Sequence, residues 1–435
     1  MSASAPPKGY GPEWNKLLEQ TGWWHSFELP DGSVVRGVNT LESLKDRVAA
    51  YPIPQDLRGR RVLDIGAWDG WFSFEMERRG ADVMAIDCFD NPRFREIHAI
   101  YKSRVDYRQM DVYEITPQSV GRFDYVLFLG VLYHLKHPLL ALERVCAVTK
   151  EMAIVDSFVL RENFDQNATP MMEFYENDEM EGQTDNWCAP NLACLMAMSR
   201  TAGFARVEFR KIFPYSAALS CYRQWEPANP TGPAVDLKSV VHNGNNGINF
   251  DTWRDDYVTA GFATAETDLK RVDVQPSVSG YGVRPLSVNH LNGNLWQANF
   301  KLPPGLPAGW HEVKMAVRGG LMSNSHRIAV DIPLAEASPA IESALDGTTW
   351  AKNSLDLSKG SVISVWSAGL PENADRHNIQ VLVNGAPCVV DYVAEGTSSK
   401  QINARVPDDI AAGSAQVIVK LGTRSSAPVT VEIQA

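Results

Sequence analysis

A glycine-containing turn follows a short apolar run early in the chain. The sequence VLDIGAWDG spans Val62 to Gly70, with Asp64 inside the run and glycines at positions 66 and 70. Glycine lets the backbone approach a ligand closely, and doubly wound sheets bind ligands at the carboxyl ends of their strands. The turn therefore predicts a site for a nucleotide-like cofactor.

A second carboxylate follows at the spacing that such folds use. Asp87 ends the next apolar run, 87 − 64 = 23 residues after Asp64. In this position a carboxylate accepts hydrogen bonds from ribose hydroxyls, both in dehydrogenases and in methyltransferases. The dinucleotide fingerprint G-x-G-x-x-G is missing because position 68 is tryptophan. The pattern thus favours S-adenosylmethionine over a dinucleotide.

A histidine near a later strand end could serve the transfer itself. Methyl transfer is an in-line displacement, so the enzyme mainly aligns the acceptor, excludes water and often removes one proton. His134, in GVLYHLKHP, is a candidate base because imidazole exchanges protons near neutral pH. The alternative is that His134 packs beside Tyr133 and only shapes the pocket.

The segment from Met172 to Asn191 is dense in carboxylates and aromatic residues. It follows a predicted strand, where this fold places elements that cover the substrate, although an acidic solvated loop would have the same composition. Its stretch from Glu173 to Asp185 contains no Lys or Arg. A carboxylated form of the cofactor would need cationic groups here to hold its extra carboxylate. We therefore expect ordinary S-adenosylmethionine and a neutral or polyhydroxylated acceptor. The candidate substrate contacts are Tyr133, Glu173, Tyr175, Glu179, Asn186, Trp187 and Asn191.

The elements that must position these residues alternate between strands and helices. Nearly continuous Val/Ile/Leu/Phe runs predict strands buried on both faces of a parallel sheet, at 60–66, 81–87, 123–130 and 152–159. Helical patterns lie between them, at 71–79 and 138–148, and a later helix and strand follow at 191–202 and 205–212. The sequence predicts an α/β doubly wound, Rossmann-like domain.

The motifs VLDIGAWDGWFSFEMERRGADVMAID and FLGVLYHLKHP resemble class I methyltransferases related to the bacterial tRNA wobble-uridine (5-carboxymethoxyuridine/methoxyuridine) enzymes. The resemblance implies that Asp64, Gly66 and Asp69 line the methionine end of the cofactor and that Asp87 holds the ribose. For Asp111, next to the adenine, a solvated strand end is the alternative. The implied cofactor set is completed by Ala67, Trp68, Gly70, Cys88, Val112, Leu129 and Gly130.

The segment Gly22 to Gly37 looks like the lead segment that often caps the site in this family. It makes Trp24 and His25 candidate lid residues, with His25 as a substrate contact; a hairpin packed against the sheet is the alternative. No metal site is predicted, because carboxylates without defined ligand spacing are usually solvated.

Beyond Trp225 the composition changes to alternating strands and turn residues. A Pro/Gly-rich linker at 227–240 precedes a tail that repeats itself, since Gln297 and Asn299 match Gln401 and Asn403 at an offset of 401 − 297 = 104 residues. The tail predicts two immunoglobulin-like β-sandwiches, at 241–333 and 334–435. The second copy resembles the TIG-type modules of soil bacteria, which identifies a scaffold and not a chemistry. The predicted domains are a disordered lead-in at 1–20 and a methyltransferase domain at 21–226, followed by the linker and sandwiches.

Composition narrows the remaining classes. The chain of 435 residues has a formal net charge of −11, which makes nucleic acid a disfavoured partner. It shows no secretory signal, no apolar run of membrane-spanning length and no paired cysteine motif, so we expect a cytoplasmic protein with reduced thiols. A homo-oligomer or a partner protein could assemble through the sandwiches.

Three functions remain open. The first is S-adenosylmethionine-dependent transfer of a methyl group to an oxygen of a small molecule or glycan. The second is a tRNA wobble-uridine methyltransferase. The third is a scaffolding or adhesion protein that retains a cofactor fold without catalysis.

Overall fold

A computed structural model describes residues 20–160, 165–244, 246–254, 256–333, 338–396 and 399–434. The chain divides into two compact units. Unit 1 comprises Met1–Glu226 with Pro303–Gly305, and unit 2 comprises Pro227–Leu302 with Leu306–Ala435.

Unit 1 is built on a seven-stranded sheet. Its strands are β5 (Arg61–Ile65), β6 (Asp82–Asp87), β7 (Asp106–Gln109), β8 (Phe123–Leu129), β9 (Thr149–Phe158), β12 (Arg206–Ile212) and β13 (Ser216–Tyr222). They lie in the order β12-β13-β9-β8-β5-β6-β7. Strands β5 to β9 run parallel, whereas β13 pairs antiparallel with β9 and with β12. Smaller pairs are formed by β1 (Trp23–His25) with β4 (Gly37–Asn39), β2 (Phe27–Glu28) with β3 (Val34–Val35), and β10 (Met172–Phe174) with β11 (Cys188–Pro190).

Helices pack against this sheet because their apolar residues fall on one face. Two separate hydrophobic clusters are buried, one containing Phe72 and Phe94 and the other containing Leu142 and Phe204. The helices are α1 (Leu41–Ala49), α2 (Trp71–Arg78), α3 (Pro92–Tyr101), α4 (Pro138–Val148) and α5 (Leu192–Thr201). Asn91 and Asn191 begin α3 and α5 as N-caps, since each side chain accepts a hydrogen bond from the first turn. Among the described residues, no helix is long and apolar enough to cross a bilayer.

Unit 2 holds two β-sandwiches, each with its own hydrophobic cluster. In the first sandwich a sheet of order β14-β16-β20-β19 faces one of order β15-β22-β21-β17-β18. Its strands are β14 (Asp236–His242), β15 (Asn249–Phe250), β16 (Tyr257–Ala263), β17 (Val274–Val278), β18 (Tyr281–Gly282), β19 (Ser287–Asn292), β20 (Leu295–Lys301), β21 (Gly309–Val317) and β22 (His326–Val330).

The second sandwich repeats this plan. A sheet of order β23-β25-β29-β28 faces a larger sheet that contains β24, β32, β30, β26, β27 and β31. Its strands are β23 (Ala340–Asp346), β24 (Ser354–Asp356), β25 (Val362–Ala368), β26 (Ile379–Val383), β27 (Ala386–Pro387), β28 (Val389–Val393), β29 (Lys400–Arg405), β30 (Gly413–Leu421), β31 (Arg424–Ser425) and β32 (Val429–Gln434).

The predicted fold class, a doubly wound domain followed by all-β sandwiches, is confirmed. Two strands of the seven-stranded sheet were missed: β7, which reads DYRQ and is mostly exposed at the sheet edge, and β13, which follows the strand predicted at 205–212. The short strands β10 and β11 were not predicted either. The predicted linker at 227–240 also runs too far, because β14 begins at Asp236 and buries Leu237 and Val240 in the first sandwich. Of the predicted lead-in at 1–20, only residue 20 is among the described residues.

Candidate functional site

The turn between β5 and α2 needs glycine at both predicted positions. Gly66 has φ +71°, and a Cβ atom there would collide with Val131. Gly70 has φ +94°, and its Cβ would lie 2.6 Å from the ring of Phe94. Positive φ and close packing both exclude larger residues, so the turn keeps its backbone accessible at the carboxyl end of β5.

Asp64 lies beneath this turn and is 3% exposed. Its carboxylate accepts a hydrogen bond of 2.6 Å from the hydroxyl of Ser73 in α2. Burial raises the pKa of Asp64 from about 3.8 to about 6, against the opposing effects of Ser73 and His25. The group is poised to gain from a cationic ligand that would stabilise its ionised form.

Asp87 ends β6 beside the same turn. Its two carboxylate oxygens accept backbone hydrogen bonds from Trp68 at 2.9 Å and from Phe89 at 3.1 Å. The rings of Trp68 and Phe89 are exposed and lie 6.4 Å apart, centroid to centroid. Two backbone N–H groups thus hold the Asp87 carboxylate beside the turn.

The other predicted cofactor residues have diverse surroundings. Asp111 is exposed and caps a short 3-10 helix, where its side chain accepts a hydrogen bond from Tyr113 N–H. Ala67 and Val112 are buried, Cys88 is exposed, and Leu129 is partly buried. Gly130 N–H donates to the carbonyl of Asp156 at 2.7 Å, which ties the ends of β8 and β9 together.

Asp69 links the turn between β5 and α2, the predicted cofactor turn, to the N-terminal segment from Gly22 to Gly37. Its carboxylate accepts hydrogen bonds from the backbone N–H of Trp24 (2.9 Å) and His25 (3.0 Å), and it also contacts Nδ1 of the His25 ring. Asp69 is completely buried and His25 is 7% exposed. The Asp69 side chain is therefore engaged within the protein, and it holds His25 against Phe72, whose ring lies edge-on at 5.6 Å.

A buried cluster that the sequence did not reveal lies at the end of β9. The carboxylate of Asp156, 1% exposed, contacts the Arg47 guanidinium and accepts a hydrogen bond of 2.9 Å from the Tyr51 hydroxyl. Arg47 also donates to Ser216 Oγ at 3.0 Å. Burial and the neighbouring Asp156 carboxylate raise the pKa of the Tyr51 phenol well above its usual value, so it remains a hydrogen-bond donor.

His134 lies in a 3-10 turn after β8, with its side chain one-third exposed. Its Nδ1 is 3.1 Å from the backbone carbonyl of Asp185 and 3.6 Å from Oδ2 of the same residue. Because both oxygens accept, the neutral ring carries its proton on Nδ1 and has its lone pair on Nε2. The rings of Tyr133 and His134 are 4.2 Å apart. Burial, with Asp156 nearby, raises the pKa of Tyr133 to about 12.

The predicted substrate segment forms the β10–β11 pair and the residues between these strands. Glu173, Tyr175 and Glu179 belong to its outer part, where the Tyr175 hydroxyl donates to Glu173 at 2.9 Å. Trp187 N–H donates to the carbonyl of Tyr133 at 2.7 Å, which joins this segment to the turn that carries His134. The segment therefore covers the same edge of the sheet as the cofactor turn.

Two residues of this segment are buried. Asn186 donates to the carbonyl of Met180 at 3.1 Å, and its Oδ1 has no partner among the described residues. Asn191 is completely buried; its Oδ1 accepts from Cys194 and Met171, and its Nδ2 donates to Thr169. Because the Asn191 side chain caps α5, the structure favours Asn186 over Asn191 as a substrate contact.

Comparison with known proteins identifies the domain. Residues 38–179 match a family model described as a methyltransferase domain. Curated relatives include ubiquinone biosynthesis O-methyltransferases of Dechloromonas aromatica, 39% identical over 84 residues, and of Xanthomonas oryzae pv. oryzae, 38% identical over 94 residues. These matches cover 19% and 21% of this chain and 36% and 39% of the relatives. The chain thus spans little over a third of the length of the curated relatives it matches.

Among solved structures, the N-terminal domain of EvdMO1 in the presence of SAH and D-fucose is similar at 19% identity and a TM-score of 0.36. The similarity covers 48% of this chain and 94% of that one. Magnesium protoporphyrin IX methyltransferase from Synechocystis, with bound SAM, is similar at 17% identity and a TM-score of 0.31, over 42% and 79% of the two chains. The family match confirms the predicted class I methyltransferase domain and, with it, S-adenosylmethionine rather than a dinucleotide as the cofactor.

Proposed function

We propose that this chain transfers a methyl group from S-adenosylmethionine to an oxygen atom of a neutral, hydroxylated small molecule or glycan. The observation that carries the proposal is the arrangement around the β5–α2 turn. Asp64, the glycines at 66 and 70, and Asp87 lie together at the carboxyl edge of the sheet, inside the segment that matches a methyltransferase domain.

The residues present fit this cofactor. Asp64 is a buried carboxylate suited to a cationic ammonium group, and Asp87 is a carboxylate suited to ribose hydroxyls. The cofactor, when bound, supplies the electrophilic methyl group. The protein supplies the alignment of the acceptor, the exclusion of water and a place for the proton that the acceptor hydroxyl loses.

We assign to His134 the role of accepting the proton that the acceptor hydroxyl loses. Its Nδ1–H is directed to the carbonyl of Asp185, so the neutral ring presents Nε2 as a base. It lies in the 3-10 turn after β8, four residues beyond Gly130, which the family resemblance puts under the sulfonium. Tyr133, whose pKa is raised to about 12, stays protonated at neutral pH and can donate a hydrogen bond to the acceptor oxygen.

The charges around the proposed acceptor site favour a neutral substrate. Arg47 is already paired with Asp156, so this guanidinium is compensated inside the protein. One further cation is close: the ammonium of Lys136 lies 4.1 Å from the centre of the Trp187 ring. The adjoining segment contributes Glu173, Glu179 and Asp185 without any Lys or Arg. The names of the curated relatives, O-methyltransferases, support oxygen as the accepting atom.

The tRNA wobble-uridine enzymes, which the motifs resemble, are the competing acceptor class. A tRNA substrate calls for a basic surface, and the net charge of −11 speaks against it. A scaffolding protein without catalysis would have no use for the intact carboxylates at positions 64 and 87.

The test begins with calorimetric titration of the purified chain with S-adenosylmethionine, S-adenosylhomocysteine and NAD, each separately. Binding of the first two and not of NAD is expected. Transfer of labelled methyl groups is then measured with a panel of sugars and phenols and with unmodified tRNA. Methylation of tRNA alone, or carboxymethylated product, would overturn the acceptor assignment, and failure to bind the adenosyl compounds would overturn the proposal as a whole.

A further inference from the structure

The two sandwiches of unit 2 carry the same pair of amide side chains on the same strand. Gln297 and Asn299 lie in β20, and Gln401 and Asn403 lie in β29, which is the third strand of the corresponding sheet. Their neighbours along these strands, such as Ala298 and Ile402, are completely buried. Because side chains alternate along a strand, all four amides project from the outer face.

In the first sandwich both polar atoms of the Asn299 side chain are bonded within its own sheet. Asn299 Oδ1 accepts from the hydroxyl of Thr259 at 2.8 Å, and its Nδ2 donates to the hydroxyl of Ser287 at 3.1 Å. Gln297 lies opposite Gly261 on the neighbouring strand. No aromatic residue lies opposite either amide on the neighbouring strands.

The second sandwich keeps the amides and changes what surrounds them. Gln401 Nε2 donates to Ser364 Oγ and to Asn403 Oδ1, both at 3.0 Å. Tyr392 stands opposite Asn403, where the first sandwich has Ser287 opposite Asn299. Trp366 stands opposite Gln401, where the first sandwich has Gly261 opposite Gln297.

This exchange frees one polar atom: Asn403 Nδ2 has no serine to bond, whereas Asn299 Nδ2 donates to Ser287 in the first sandwich. Among the described residues, Gln401 Oε1 and Asn403 Nδ2 have no hydrogen-bond partner, so an acceptor and a donor remain on adjacent positions of the face. Tyr392 is 50% exposed, and Trp366 is partly exposed. The first sandwich folds with glycine and serine in the equivalent places, so the aromatic rings are not a requirement of the fold.

The chemistry of this face fits a sugar. Strands β25 and β28 flank β29, and the two aromatic residues are offset by two positions along it. Two interstrand spacings and this offset together separate them by roughly 12 Å. Aromatic rings stack on the apolar faces of pyranose rings, and amide groups exchange hydrogen bonds with hydroxyls. The charged pair on the next row, Arg405 with Asp391 at 2.7 Å, is internally compensated, which suits a ligand without charge.

We propose that the outer face of the β23-β25-β29-β28 sheet, bearing Trp366, Gln401, Asn403 and Tyr392, binds a neutral saccharide chain. The first sandwich does not share this activity, because glycine and serine stand in place of the two aromatic residues and Ser287 occupies Asn299 Nδ2. The proposal is independent of the methyl-transfer activity of unit 1, and each can fail without the other.

The test is affinity electrophoresis of the full chain in native gels that contain dextran, laminarin, galactomannan or hydroxyethyl cellulose. At least one of these polysaccharides is expected to retard the protein. Trp366→Ala with Tyr392→Ala should weaken the apparent affinity at least tenfold. Gln401→Ala should also weaken it, whereas Gln297→Ala, the matched change in the first sandwich, should leave it unaltered.

Two further measurements keep the result interpretable. Circular dichroism melting establishes that each variant is folded. The single variant Tyr392→Ala removes a half-exposed ring and serves if the double variant does not fold. Trp366→Phe should retain most of the binding. Absence of retardation in all four polysaccharides, or retardation that persists without both rings, would overturn the proposal and leave a protein partner as the alternative occupant.

Discussion

Asp64 is a buried carboxyl group whose ionisation costs stability in the absence of a ligand. Its folded-state pKa of about 6 lies above its usual value of about 3.8, so the folded protein holds a proton that the unfolded chain releases between these pH values. Stability therefore falls as the pH rises through this window, by about 3 kcal/mol once the pH is above 6. Below pH 3.8 this contribution vanishes.

Asp64→Asn should thus stabilise the ligand-free protein at pH 7.5 by roughly 1 to 3 kcal/mol, because an amide needs no ionisation. The same change should weaken S-adenosylhomocysteine binding. Urea unfolding of the variant and the parent at pH 5 and pH 7.5 measures the first effect, and calorimetry measures the second. An equal difference in stability at both pH values would contradict the assigned pKa.

Asp87 is expected to contribute to affinity without a comparable effect on folding. Asp87→Ala should weaken binding of S-adenosylmethionine by about 1 to 3 kcal/mol, since ribose hydroxyls would lose their charged acceptor. Asp90→Ala, three residues away and directed to Arg95, is the matched control. If the two variants bind the cofactor equally well in calorimetric titrations, Asp87 does not belong to the site.

For His134, the distinction lies between a base and a packing residue. His134→Ala should lower kcat by roughly 100-fold to 10,000-fold, the usual contribution of a general base, with the cofactor Kd unchanged. His137→Ala changes an exposed histidine on the same turn and should have little effect. Comparable losses in kcat and in cofactor affinity would instead favour a packing role.

Single elements could be predicted well, but the contacts between distant elements could not. The apolar runs predicted β5, β6, β8 and β9 because strands buried on both faces leave a continuous hydrophobic signal. The Arg47–Asp156–Tyr51 cluster joins residues more than 100 positions apart, and neither Arg47 in α1 nor Tyr51 just beyond it carries a local motif. The edge strand β7 was not predicted because its residues are mostly exposed and polar and leave no continuous hydrophobic signal.

The N-terminal segment illustrates what such a distant contact can do. The sequence allows either a lid or a hairpin packed against the sheet for Gly22 to Gly37. The β2–β3 pair forms a hairpin, whereas β1 pairs parallel with β4. Asp69 accepts hydrogen bonds from the backbone of β1 and so joins it to the β5–α2 turn. The Asp69 carboxylate thus connects the proposed lid to the turn that we propose binds the cofactor.

Asp69→Ala should release this segment locally. Loss of the hydrogen bonds from Trp24 and His25 to a buried carboxylate should reduce the opening free energy of residues 20–39 by roughly 2 to 4 kcal/mol. Hydrogen exchange followed by mass spectrometry should show faster exchange there and little change in β8. Asp82→Ala, which removes an exposed carboxylate, should leave the exchange of this segment as in the parent.

At the scale of the whole molecule, each unit has the hydrophobic clusters it needs to fold. Unit 1 buries two clusters on its sheet, and unit 2 buries one in each sandwich. Both the proposed cofactor residues and the proposed acceptor residues lie in unit 1, whereas the proposed saccharide face lies in unit 2. Ligands of the two kinds should therefore be separable by which unit they stabilise.

Differential scanning calorimetry of the full chain can make this separation. A ligand that binds only the folded form stabilises the unit that holds its site, and at about 100 times the Kd this amounts to about 2.7 kcal/mol. S-Adenosylhomocysteine at that excess should raise the transition of unit 1 by roughly 5 to 10 °C. The transitions of unit 2 should not move, because its sandwiches contain none of the proposed cofactor residues. A shift in a transition that Trp366→Ala also perturbs would mean that cofactor binding reaches unit 2, and the assignment of the two activities to separate units would be wrong.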